Sequence, residues 1–353
     1  MTFLVPVLII LLERYLGYKF QLQDFQDVYY EHLLGVNPWD RVPPPSERVG
    51  TPPDLFNLTR THLSGADAAC PMNQQRMNVV HNPNRWYDGG RKIPMIVHQT
   101  AKTRCMTRHF FRATFQWVFR PYWSFYFHDD AAVDRLLQTP FPEFPHLHQV
   151  ARSCLTSRAS RIALWRLVVL WCYGGLHVDL NTFPTANFTS ATIQAGDEGI
   201  FFWETPESGN EQILSTKVVA VAPYHPLLYY AIQEYLARVL HGGSNGAHSI
   251  ETKQPATVSM STVWQKALQD FTRLGKPGIR RRDQVIAGSQ GRTIRTLGTV
   301  ANGNEQSAYF YPLFVSENGL SNEFLKMGME RMGPPSVSAT CFRDMMMYKA
   351  PGW

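Results

Sequence analysis

A chain of 353 residues has room for one large domain or two ordinary ones, and 44% hydrophobic residues with 13% aromatics exclude wholesale disorder. Its net charge of +6 is spread thinly, and the one dense basic run, Arg280-Arg281-Arg282, has no groove-reading motif beside it, which argues against nucleic acid as a partner. That run follows the turn Lys276-Pro277-Gly278 and reads as a solvated loop, with an anion contact as the alternative.

In chain order, Phe3 to Leu12 form an apolar run of about ten residues, short of the roughly 20 that span a bilayer. Residues 1–20 read as a signal peptide or short signal anchor, or else as an apolar first helix packed on the domain. Residues 21–92 are turn-rich, with Pro43-Pro44-Pro45 and Pro52-Pro53, and read as a stem or spacer with one helix near 24–34. Two sequons, Asn57-Leu58-Thr59 and Asn187-Phe188-Thr189, would accept glycans in a secretory lumen. The five cysteines have no zinc-ligand spacing; one or two disulfides suit an oxidising lumen, their pairing is not readable, and Cys172 reads as core. These features lean towards the Golgi or ER lumen, with a type II anchor as one form.

The pattern changes near Lys92. Ile93 to Thr100 reads as a buried strand, 107–119 as a helix, and Trp123 to Phe127 as a second strand. Asp129 and Asp130 fall where a helix over 131–138 would begin, which assigns them to capping first. A helix is expected from Ser157 to Tyr173, with Leu164, Leu167, Val168 and Trp171 on one stripe and Arg158, Ile162 and Arg166 on another face. Strands follow at 199–203 and 217–222, with helices at 226–240 and 259–273. Strands alternating with helices predict an α/β domain with a mostly parallel central sheet, whose ligands bind at the carboxyl ends of strands.

The stretch Tyr173-Gly174-Gly175-Leu176-His177-Val178-Asp179-Leu180-Asn181 concentrates the chemistry. Two glycines permit a sharp turn from helix to strand. On strict alternation, Asp179 and Asn181 share one side of that strand, where their oxygens can reach a hard cation holding a diphosphate. Arg166, about two turns upstream, offers a donor fork for sugar hydroxyls or phosphate. His177 adds a nitrogen ligand or simply packs. A cation, a diphosphate and an arginine suit transfer of a group from a nucleotide diphosphate; the plainer reading is a Gly-Gly turn with polar residues closing a strand.

Residues 92–353 resemble the glycosyltransferase family with a DxD sugar-binding motif, which includes fungal initiating α-1,6-mannosyltransferases and capsular sugar transferases. The resemblance rests on Ile93 to Thr100 (similar to I-P-K-I-I-H-Q-T-W), Phe127-His128-Asp129-Asp130, Leu164 through Asn181, Ala222-Pro223-Tyr224-His225-Pro226 and the closing Gly352-Trp353. It implies a GT-A-like, Rossmann-type nucleotide-sugar-binding domain over 93–353. It also implies a retaining hexosyltransferase using Mn²⁺ or Mg²⁺ and a donor such as GDP-mannose or a UDP-hexose, acting on a glycan or glycoconjugate, with a transferase complex as a setting. In that picture Asp179 and Arg166 are catalytic and contact the donor sugar, and Asp179 and Asn181 hold the metal. Val97, His98 and Gln99 line the nucleotide pocket, and Trp353 closes over the diphosphate. The chain departs from the pattern at Ala101, Ala163, His177, Thr216, Asn181 and Gly352. Ala163 and Asn181 support an alternative: a catalytically impaired sugar-nucleotide or glycan-binding relative serving as a subunit of a transferase complex.

Overall fold

A computed structural model describes residues 54–59, 70, 74–77, 90–118, 120, 123–185, 187–189, 191–204, 213–245, 258–273, 284–302 and 314–316. The apolar run 3–12, the helix expected near 24–34, the arginines 280–282 and Trp353 lie outside the described residues. Among the described residues no helix is long and apolar enough to cross a membrane.

The elements run α1 (Leu55–Thr59), β1 (Gln74–Arg76), β2 (Ile96–Thr100), β3 (Cys105–Thr107), α2 (Arg108–Val118), β4 (Ser124–His128), α3 (Asp130–Leu137), α4 (Leu147–Ser153), α5 (Arg158–Tyr173), β5 (Gly175–Val178) and β6 (Thr182–Pro184). They continue with β7 (Gly199–Glu204), β8 (Ile213–Val221), α6 (Pro226–Asn245), α7 (Met260–Thr272), β9 (Gln284–Ala287), β10 (Thr293–Asn302) and β11 (Phe314–Ser316). The main sheet has the order β4-β2-β5-β8-β7-β10-β11-β6, with β9 added alongside β10.

The domain is α/β as expected, but the sheet is mixed rather than mostly parallel. Strands β4, β2 and β5 are parallel, as are β7, β10 and β11, whereas β8 runs antiparallel to both β5 and β7, and β6 and β9 are antiparallel to their neighbours. The reason lies between 179 and 221. There β5, β6, β7 and β8 follow one another with no intervening helix, so the chain makes no right-handed crossover and reverses instead.

Alternation along the strands splits the core into two layers. Ile96, Tyr126, Phe201, Val219 and Val221 face the layer built by α3 to α7, while Val97, Phe125, Phe127, Leu176, Val178 and Phe202 face Phe110 and Trp117 of α2. Helix α5 is buried along nearly its whole length, Ile162 to Cys172, and not only on its expected stripe, because α6 packs over it. An all-round apolar helix is what such a sandwiched position requires.

Part of the expected spacer belongs to this domain. Leu55 and Leu58 lie in the core, β1 pairs with β3, and Cys70 is disulfide-bonded to Cys105. The buried Arg104 draws these pieces together: its guanidinium donates to the carbonyls of Thr59, Met77 and Phe127 and to the Asp129 carboxylate at 3.0 Å. Asp129 also caps α3, accepting from Ala132 N at 2.8 Å, and Asp130 pairs with Arg158 at 2.7 Å. Both aspartates are thus engaged in the fold. Cys154 is disulfide-bonded as well, and Cys172 is a free, buried thiol.

Candidate functional site

Helix α5 ends because Gly174 takes φ +63 and Gly175 φ +93, conformations that L side chains rarely adopt. Space forbids a side chain there too. A Cβ at Gly174 would sit 2.6 Å from Pro223, and one at Gly175 would sit 2.6 Å from the Ile96 carbonyl oxygen. The glycines therefore let the β8 end and β2 close onto the turn that launches β5.

Beneath that turn lies a chain of imidazoles. His98 Nε2 is 3.0 Å from the Gly174 carbonyl, which can only accept, so this nitrogen carries the proton. His98 Nδ1 is then an acceptor, and His128 Nε2, at 3.2 Å, donates to it. Burial pushes the His98 imidazole down to about 4, with the Gly174 bond opposing. His128 and His177 lie well below the ordinary histidine range, first through burial and then through neighbouring positive groups. Trp165 sits edge-on between His128 and His177.

The crossover between β2 and β4 carries α2 on one face of the sheet, while that between β4 and β5 carries α3 to α5 on the other. Strand β5 then returns to the opposite flank of β2. The carboxyl ends of β2 and β5 consequently flank a topological switch point, where α/β sheets open a ligand crevice. Gln99 and Asp179 occupy those ends, with Gln99 Nε2 3.4 Å from the Asp179 carbonyl.

Asp179 is the centre of the arrangement. Its Oδ1 accepts from Arg166 Nη2 at 2.7 Å, its side chain is 30% exposed, and that of Arg166 is 10% exposed. Arg166 Nη1 is fixed by the Thr216 carbonyl of β8, and His177 Nε2 lies 3.9 Å from the same carboxylate oxygen. Several buried polar atoms around this pair have no hydrogen-bond partner: Gln99 Oε1, Arg166 Nε, Thr182 Oγ1 and both ring nitrogens of His177. Each of these atoms has a hydrogen bond left to make, to solvent or to a polar ligand.

The expected residues are distributed unevenly. Asp179, Arg166 and Gln99 come together, and His177 joins them. Val97 and His98 are wholly enclosed, Val97 in the α2-side core and His98 under the turn, so neither presents a surface to a nucleotide as expected. The alternation expected for Asp179 and Asn181 does not apply. Strand β5 stops at Val178, and Thr182 N bonds the Asp179 carbonyl at 3.0 Å, so Asn181 sits half-buried in a turn. Sequence spacing missed Thr182 and Thr216, which join the site through β6 and β8. His225 of the Pro-Tyr-His-Pro element is structural: its Nδ1 accepts from Leu227 N at 3.2 Å and its Nε2 donates to the Thr293 carbonyl at 3.3 Å.

The donor set does not fit a resident Mn²⁺ or Mg²⁺. Asp179 brings one negative charge that Arg166 already offsets, and Asn181 brings a neutral amide. Among the described residues no three His, Cys, Asp or Glu side chains converge in a way that would hold a metal ion.

No protein-family model matches this chain, and no curated protein does. Among solved structures, one described as PaToxG Glycosyltransferase matches with a TM-score of 0.35 and 13% sequence identity, over 50% of this chain and 69% of that one.

Proposed function

We propose that this chain is a glycosyltransferase that binds a nucleotide diphosphate sugar at the carboxyl ends of β2 and β5 and transfers its hexose to a glycan or glycoconjugate. The observation that carries this reading is the Arg166–Asp179 pair, 2.7 Å apart at the switch point and ringed by buried polar atoms with bonds left to make. Sugars are recognised by such planar, bidentate groups, and a carboxylate beside a guanidinium accepts from one hydroxyl while the guanidinium donates to another. Charge develops on the departing diphosphate as the anomeric centre becomes oxocarbenium-like, so a fixed cation there lowers the barrier most. Arg166 is held for that role by the Thr216 carbonyl and Asp179, and its Nε–H is still free to donate.

On the family resemblance we assign a retaining course, in which the acceptor hydroxyl attacks from the face the diphosphate leaves. A mannose-like hexose remains our choice of sugar on the family resemblance alone. The Cys70–Cys105 disulfide and the exposed sequon residue Asn187 support placement in the Golgi or ER lumen, with or without an N-terminal anchor.

The test is transfer and donor hydrolysis with GDP-mannose and UDP-hexoses. Asp179→Ala, at a partly exposed position, should abolish turnover while leaving the protein folded by circular dichroism. A wild-type protein that binds these donors without turning any over would favour a second reading. That reading, a sugar-nucleotide-binding subunit of a transferase complex, is favoured by the neutral Asn181 in the turn beyond Asp179.

A further inference from the structure

We infer that the donor site works without a divalent cation, Arg166 providing the fixed positive charge that a metal would otherwise bring to the diphosphate. This rests on the donor-binding reading above and deepens it. The ion pair is the first support. Arg166 Nη2 sits 2.7 Å from Asp179 Oδ1, so the one carboxylate at the end of β5 already has a cationic partner on that oxygen. A dication on Oδ1 would have to share the oxygen with a guanidinium, and like charges at that range repel.

The guanidinium is also built in rather than borrowed. Its side chain is 10% exposed, it emerges from the buried α5, and Nη1 is tied to the Thr216 carbonyl on β8. An arginine so held cannot swing away to make room for a hydrated ion. Its Nε–H, buried and unpartnered, is a directional donor for a phosphate or sugar oxygen.

The third support is the turn. Because β5 ends at Val178 and the chain turns through Leu180 and Asn181, the second oxygen-bearing side chain is an amide on a turn, half-buried, with no charge to offer. His177 supplies an imidazole, but it is 1% exposed and lies 3.9 Å from the carboxylate oxygen, beside Trp165. Hard cations prefer oxygen ligands with charge, and this set presents one carboxylate that is already compensated.

The experiment is calorimetric titration of the full chain with GDP-mannose and with UDP-glucose, in EDTA and in Mn²⁺. Affinity for one donor that is the same within about threefold in the two buffers is the expected result. A tenfold or greater loss in EDTA overturns the inference and leaves the donor reading standing. No binding of either donor in either buffer overturns both. Mn²⁺ alone, followed by the loss of its free-ion electron paramagnetic resonance signal, gives a readout independent of donor and turnover. Wild-type protein should leave the signal unchanged, and uptake of Mn²⁺ by the wild type would overturn the inference.

Discussion

Acidification is the perturbation that reads the buried imidazoles most directly. His98 is held at about 4 and His225 at about 3 by burial, against an unfolded value near 6.5. Between those values the unfolded chain takes up protons that the folded one refuses, so stability is complete above about pH 6.5 and is lost as pH falls below it. Each such histidine costs about 1.4 kcal/mol per pH unit once well below 6.5, which makes about 2 kcal/mol apiece at pH 5. His128 and His177 act in the same direction. Against a total stability of about 5–15 kcal/mol, groups acting together in this direction should make stability decline measurably through the mildly acidic range. Urea unfolding followed by tryptophan fluorescence at pH 7.5, 6.5, 5.5 and 5.0 measures the slope. His177→Phe should flatten that slope by about one proton and cost little at pH 7.5, because neither ring nitrogen of His177 has a hydrogen-bond partner. Equal stability at pH 7.5 and 5.0 would refute the reasoning, and so would a slope unchanged by His177→Phe.

Other perturbations separate site from scaffold. Asp179→Asn keeps the shape but leaves Arg166 without its anion; donor affinity should fall tenfold or more, while stability drops by only about 1–2 kcal/mol because the carboxylate is 30% exposed. Gly175→Ala should destabilise by several kcal/mol on the order of 2–4, since φ is +93 and the new Cβ would meet the Ile96 carbonyl oxygen at 2.6 Å; an unchanged melting temperature would contradict the turn as described. Cys105→Ser opens a loop with a sequence separation of 35 and should cost about 4 kcal/mol by calorimetry; reduction of the wild-type protein, which also breaks the disulfide at Cys154, should cost more.

The local elements were legible in the sequence because each has a short-range cause. Periodicity and caps locate α5 from Ser157 to the double glycine, and Asp129 heads α3 as capping chemistry requires. The double glycine marks a sharp turn before any partner is known, since glycine alone accepts both positive φ values without cost. The candidate pair Arg166 and Asp179 is likewise visible, because a helix and the strand that follows it across a single glycine must pack close together.

Pairing between distant segments belongs to the tertiary structure, because no local signal records which strand lies beside which. Only the folded chain sets β8 antiparallel between β5 and β7, and thereby brings the Thr216 carbonyl to Arg166. Only it ends β5 at Val178, taking Asn181 off the strand and into a turn. The alternation that suggests a two-oxygen metal site is a property of extended backbone, and it lapses where the Thr182 amide bonds back to Asp179. The same long-range packing turns His98 from an expected nucleotide contact into the buried support of Gly174, since a side chain's role depends on which face of the sheet its neighbours cover.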